Sequence, residues 1–145
     1  MRNHYLYACA ALLSLYLVFH SCQHEQAIRT AQYAVNGQKL YVAHCQNCHG
    51  TKGEGLGGLY PPLTDSLFLN THREQLACMV KNGLSGPIEV NGQVFDTEMP
   101  ANPALAPIEI AYLLTYIGNS FGNTMGIFSL EEIQAALAAC EADNR

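Results

Sequence analysis

Charge is scarce in this sequence, and positive charge scarcest: charged residues make up 13% of it, and Lys and Arg together number 7 among 145 residues. No basic run or patch occurs anywhere, which excludes nucleic acid as a partner, because phosphate binding needs clustered Lys and Arg. The formal net charge of −5 suits a basic docking surface rather than an acidic one. No internal repeat or low-complexity stretch is visible, which leaves out solenoids and arrays. The length admits one domain comfortably and two barely. Long apolar runs are lacking too. The uncharged run Tyr5–Phe19 falls short of the roughly 20 residues of a bilayer span.

That run follows Arg2 and has the make-up of a signal peptide. The segment closes with Phe19-His20-Ser21-Cys22, a small residue before a cysteine. It resembles a bacterial lipoprotein processing site, with Cys22 the lipidated first residue; an uncleaved anchor and ordinary cleavage nearby are the alternatives. Each of the three places the rest of the chain outside the cytoplasm, on the periplasmic side. Residues 1–22 are therefore read as an export segment. Residues 23–35, polar at first and without periodicity, are read as a tether, and 36–145 as the folded domain.

Cysteine, by contrast, is abundant: 6 residues. Cys9 and Cys22 belong to the export segment. Cys45, Cys48, Cys78 and Cys140 remain in the domain, and outside the cytoplasm unpaired thiols oxidise, so each needs an explanation.

Helical spacing of Leu40, Tyr41 and His44 predicts a short helix, beginning near Asn36-Gly37, that runs into Cys45. Glycines and prolines make 50–65 a loop. Thr71 with Glu74 predicts a capping box for a helix with the stripe Leu76, Met79 and Val80, ended by Asn82-Gly83. Ile88–Val90 and Gln93–Phe95 around Asn91-Gly92 predict a β-hairpin. Pro107 opens a helix ending near Gly118. Ser129 with Glu132 caps a last helix, 129–142, whose apolar face holds Leu130, Ile133, Leu137 and Cys140.

Cys45-Gln46-Asn47-Cys48-His49 is the attachment motif of c-type haem. One turn of chain spans the two vinyl groups of a haem edge, each thiol adds to one of them, and the next residue offers its imidazole to the iron. A thiol redox pair usually follows a strand in an α/β pattern, which is missing here. Half a zinc site would need a second knuckle, and Cys78 and Cys140 lie too far apart to form one.

From Asn36 to Gly122 the chain resembles the monohaem class I cytochrome c family. Gly37 and Tyr41 match that family's first helix, Leu113 and Tyr116 its last core helix, and the two helices cross in that fold. Pro61 and Leu63 match the loop whose proline carbonyl holds the ligand histidine. Met99-Pro100 matches the distal ligand. The resemblance implies a mostly α fold with a small hairpin before the distal Met loop and, here, an extra C-terminal helix. It implies one covalent haem c with His49 and Met99 on the iron, and a one-electron carrier rather than an enzyme. Redox partners such as a quinol-oxidising complex and a terminal oxidase or reductase follow from the same likeness. His72 or another histidine, or an open position, are the other choices for the sixth site. Two further functions stay open: a permanently bound cytochrome subunit of a larger respiratory complex, and a haem enzyme or sensor with a labile sixth ligand.

Cys78 lies off the Leu76/Met79/Val80 stripe, and Cys140 on the apolar face of the last helix. Either both are buried thiols, or a disulfide pins that helix over the one carrying Cys78. Such a bridge would stabilise by about 4 kcal/mol in the chain-entropy model.

Overall fold

The computed structural model describes the backbone of residues 2–143; the side chains of 1–6, 8, 9, 15, 17–24, 141 and 143–145 lie outside that description. The elements run α1 (Arg2–His44), α2 (Gln46–His49), α3 (Ser66–Thr71), α4 (Leu76–Asn82), β1 (Ile88–Val90), β2 (Gln93–Phe95), α5 (Pro107–Gly118) and α6 (Leu130–Asp143). The chain divides into two compact units, Met1–Gln32 and Tyr33–Arg145.

In the first unit the described large apolar side chains, among them Leu12, Leu13 and Tyr16, are exposed. Among the described residues, no helix is long and apolar enough to cross a membrane. Residues 23–33, expected to be irregular, are helical. They lack Gly and Pro, and the missing periodicity goes with exposure: among the described side chains of this stretch only Thr30 and Tyr33 are partly buried, Tyr33 against Tyr112. The helix predicted to begin near Asn36-Gly37 is thus the end of a longer one.

In the second unit the core is built on α5. Pro107 opens it, and the Glu109 carboxylate accepts the Ala106 N–H at 2.8 Å. Ile110, Ala111, Leu113, Leu114 and Ile117 are all buried, so α5 is covered on most sides. The last turns of α1 cross it. A side chain at Gly37 would overlap the Tyr112 carbonyl and come within 2.7 Å of Tyr116 Cβ. Only glycine lets the two backbones meet. One turn on, Tyr41 is 1% exposed and packs on Tyr116 and Phe121, with ring centres 5.4 and 5.2 Å away.

The hairpin has the expected register, Ile88 opposite Phe95 and Val90 opposite Gln93, with Asn91 and Gly92 both at positive φ (54° and 72°) as its two-residue turn demands. The helix predicted from Thr71 is different. Asp65 caps a short α3 instead, its Oδ1 accepting the Leu67 and Phe68 N–H groups at 2.9 and 3.2 Å. The chain turns through 72–75, and α4 begins at Leu76.

The reason lies in Arg73. Its guanidinium is drawn to Glu132 (Nε–Oε1 2.7 Å, Nη2–Oε2 3.0 Å) and to the Met125 and Ile127 carbonyls (both 3.0 Å), and it stacks 3.8 Å from the Phe128 ring centre. Ser129 Oγ accepts the Glu132 N–H at 3.1 Å, so that half of the predicted box forms. The Glu132 carboxylate goes to Arg73. α6 lies against α4 and α5, with the sulfurs of Cys78 and Cys140 in bonding contact and their Cα atoms 6.1 Å apart, within disulfide range.

Gly37→Ala is expected to cost about 1–3 kcal/mol of stability, the usual penalty for overpacking a close contact. Thermal or denaturant unfolding followed by circular dichroism would show it.

Candidate haem-binding site

The backbone ladder of α1 runs straight into the cysteine motif: the Cys45 N–H donates to the Tyr41 carbonyl at 2.9 Å, and the His49 N–H to the Cys45 carbonyl at 2.9 Å. Buried Tyr41 holds this turn by donating its hydroxyl to the Gly50 carbonyl, and burial pushes its phenol well above the usual range. Cys45 and Cys48 are half-buried and are not bonded to each other. Burial, with Cys48 adding to it, pushes the Cys45 thiol up to about 11.

Burial also lowers His49 below the usual imidazole range, outweighing the opposite effect of its bond to Pro61. Burial thus favours the neutral ring. Its Nδ1–H donates to the Pro61 carbonyl at 2.9 Å, which leaves the lone pair on Nε2. The loop that carries Pro61 is itself anchored. The Leu63 N–H donates to the Gly53 carbonyl at 2.7 Å. Asn123, 3% exposed, donates from Nδ2 to the Leu63 and Ile117 carbonyls at 2.8 and 3.0 Å and accepts from Ser66 Oγ at 2.7 Å.

Met99 is half-buried in the loop after β2. It exchanges backbone hydrogen bonds with Leu84, N–H to carbonyl, at 2.9 and 3.0 Å. Gly83, at φ +77°, lies so close to the Met99 carbonyl and the Ala101 nitrogen that a side chain there has no room. Beyond it the Asn102 N–H donates to the Val80 carbonyl at 3.2 Å, and Lys81 Nζ to the Pro103 and Leu105 carbonyls at 2.8 Å each.

Cys45, Cys48, His49, Pro61, Leu63 and Met99 line one crevice with two lobes. The outer lobe encloses about 720 Å³ counted out to solvent, with Cys45, Cys48, His49, Tyr60, Phe95 and Met99 in its walls. The inner lobe, about 610 Å³ on the same basis, shares Cys45, His49 and Met99 and adds Leu63, Phe68, Leu76 and Met79. These walls suit a mostly apolar group that two thiols can bond at one edge and an imidazole nitrogen can ligate. Haem c fits that description. The unbridged thiols, the free Nε2 and the apolar inner walls each meet one of its needs.

The structure thus brings Cys45, Cys48, His49, Pro61, Leu63 and Met99 to one crevice, and Cys78 and Cys140 together away from it. Cys22 falls on a side chain outside the described residues. His72 is occupied elsewhere, its Nδ1–H donating to the Phe68 carbonyl at 2.9 Å and its ring stacked on Phe68. Among the described residues no group of three or more His, Cys, Asp or Glu could hold a metal ion. Sequence reasoning passed over Gly83, Lys81, Asn102 and Asn123. Gly83 was read only as a helix stop, and nothing local marks Asn123 in its glycine-bearing linker.

A protein-family model described as cytochrome c oxidase, cbb3-type, subunit III matches residues 32–117. Two relatives, both called cytochrome c-552, come from Thermus thermophilus. Each is 32% identical over 108 residues, which cover 68% of this chain and 82% and 72% of theirs. The family match ends inside α5, so α6 lies beyond it.

Asn123→Ala would leave the Leu63 and Ile117 carbonyls without this partner, at a cost of about 1–3 kcal/mol. Chemical denaturation of the haem-loaded protein would measure that loss.

Proposed function

This chain belongs to the monohaem c-type cytochromes, in the family described as cytochrome c oxidase, cbb3-type, subunit III, and we propose on that premise that it is an extracytoplasmic one-electron carrier with His49 and Met99 as axial ligands. Family membership brings covalently bound haem c and an electron-transfer role. The observation that supports the finer reading is that Met99 lines both lobes of the crevice together with His49, in a loop pinned on either side of it.

The bound haem supplies a one-electron iron couple. The residues hold and tune it. Cys45 and Cys48 retain it covalently. Pro61 fixes the His49 ring and raises its basicity. The Met99 thioether favours the reduced metal, and Leu63, Leu76, Tyr60 and Phe95 exclude water, which disfavours the more highly charged oxidised state. With His49 and Met99 both committed to the iron, substrate would have no entry to it, and the chemistry the haem would supply is outer-sphere exchange of one electron past Cys45 and Cys48. This argues against the enzyme or sensor alternative. Respiratory partners, a quinol-oxidising complex on one side and a terminal oxidase or reductase on the other, suit such a carrier. Lipidation at Cys22 would keep it at the membrane surface on the periplasmic side.

The docking face we infer is acidic. Between Lys81 and Arg145 the sequence has no Lys or Arg. Exposed Glu89, Asp96 and Glu98 lie on the hairpin and the start of the Met99 loop, and Glu98 lines the crevice. A partner with a basic face would be steered there. A second reading, a fixed subunit of a larger respiratory complex, is favoured by the family's description as an oxidase subunit.

An absorption spectrum tests the central reading. Protein exported in a host that matures c-type haem should show covalent haem and the near-infrared band of methionine–ferric ligation, lost in Met99→Ala and kept in Met79→Leu. Covalent haem without the band, with ready binding of carbon monoxide, would favour the enzyme or sensor reading, and a colourless protein would refute both. Electron transfer to a basic partner should slow several-fold between low salt and about 0.15 M, where the Debye length falls to about 8 Å. Stable co-purification with a membrane complex after detergent extraction would favour the fixed subunit over the free carrier.

A further inference from the structure

α6 contributes no residue to either lobe of the crevice, and it lies outside the part of the chain that the family model matches. It is nevertheless fastened with unusual care, and the fastenings converge on one short element. Arg73, just ahead of α4, holds Glu132 of α6 through two nitrogens and covers the Phe128 ring. Cys78, in α4, meets Cys140. Ile133, on the inner face of α6, is 2% exposed and belongs to the core.

α4 itself is only 7 residues long, and its N-cap, Gln75, makes no side-chain capping bond. Two turns of helix have little stability of their own, so their position is set by what they pack against. One side of α4 (Leu76, Met79, Val80) lines the inner lobe, while Cys78 faces α6. Its C-terminal end is the clamp on the Met99 loop. Lys81 holds Pro103 and Leu105, Val80 holds Asn102, Gly83 lies against the Met99 carbonyl, and Leu84 pairs with Met99. An unbroken mechanical path therefore runs from α6 through α4 to the loop.

We propose that α6 is a brace for the axial methionine: through Cys78–Cys140 and Arg73–Glu132 it fixes α4, and α4 fixes Met99 on the metal. Arg73, Cys78, Glu132 and Cys140 are positioning residues in this scheme. None of them touches the haem crevice. The inference rests on the His49/Met99 reading and deepens it. A soft, neutral thioether is a poor match for ferric iron, so how long it stays bound depends on how firmly the protein holds its loop. In the braced chain the loop has one position. Without the brace it samples open positions, and the apparent affinity of a competing ligand rises with the open fraction.

The test uses full-length, haem-loaded protein. Intact mass with and without reduction, after alkylation, first establishes the Cys78–Cys140 bond; two free thiols would overturn that half of the brace. Imidazole is then titrated into the ferric protein, with loss of the near-infrared methionine band as the readout. Cys78→Ala/Cys140→Ala, and separately Glu132→Gln, should bind imidazole at least about tenfold more tightly than the unaltered chain. Glu132→Gln keeps the shape of the side chain and serves if the cysteine variant does not fold. Tyr33→Ala is the control, because Tyr33 packs on Tyr112 with ring centres 4.7 Å apart, about three turns ahead of the haem motif and away from the brace, and its loss should leave imidazole affinity unchanged. Equal affinity in all four proteins, or an equal rise in Tyr33→Ala, would overturn the brace while leaving His49/Met99 ligation standing. Absence of the band from the unaltered protein would overturn the ligation and the brace with it.

Discussion

The contact on which the rest of the second unit depends is the bare backbone meeting of α1 and α5 at Gly37. With no side chain between them, the Tyr112 carbonyl and Tyr116 come against α1 itself. Tyr41 is then carried into the core and the motif at the end of α1 reaches the crevice wall. Helices usually pack with axes roughly 8–10 Å apart, and glycine at the crossing allows the near end of that range or less. A bulkier residue would displace Cys45, Cys48 and His49 together, since they follow Gly37 within a few turns of one continuous ladder.

From that crossing two sets of holding interactions spread over the two sides of the crevice. On the histidine side the chain is irregular and rich in glycine, and its order comes from single bonds placed where they count: Pro61 to His49, Gly53 to Leu63, and Asn123 to Leu63 and Ile117. On the methionine side a short helix end does the same work with a backbone pair and a lysine. Both strategies satisfy backbone carbonyls that a cofactor-lined cavity would otherwise leave without water or helix partners.

How much of this could be read from residues alone varied with the range of the cause. The Cys45–His49 motif, the hairpin turn at Asn91-Gly92 and the Pro107 helix start were legible because the chemistry of each is contained in a few neighbouring residues. The resemblance placed Pro61, Leu63 and Met99, and the structure gathers them at one crevice. The split between α3 and α4 was not legible, because Arg73 is claimed by Glu132 from the far end of the chain. The helical course of 23–33 was missed because periodicity detects burial, and most described side chains of that stretch are exposed. Gly83 looked like an ordinary helix stop because its neighbour, the Met99 carbonyl, is brought there only by the fold.

The crossing at Gly37 also has a history in time. A polypeptide is made from its amino end, so α1 and the two thiols that follow it exist well before the residues of α5. During that interval the face that will carry Tyr41 has nothing to pack on, and Cys45 and Cys48 have no crevice to be half-buried in. The core around Tyr41 is complete only once Tyr116 and Phe121 have followed. Cys45 and Cys48 are therefore open while α5 is still to come and half-buried once it is in place.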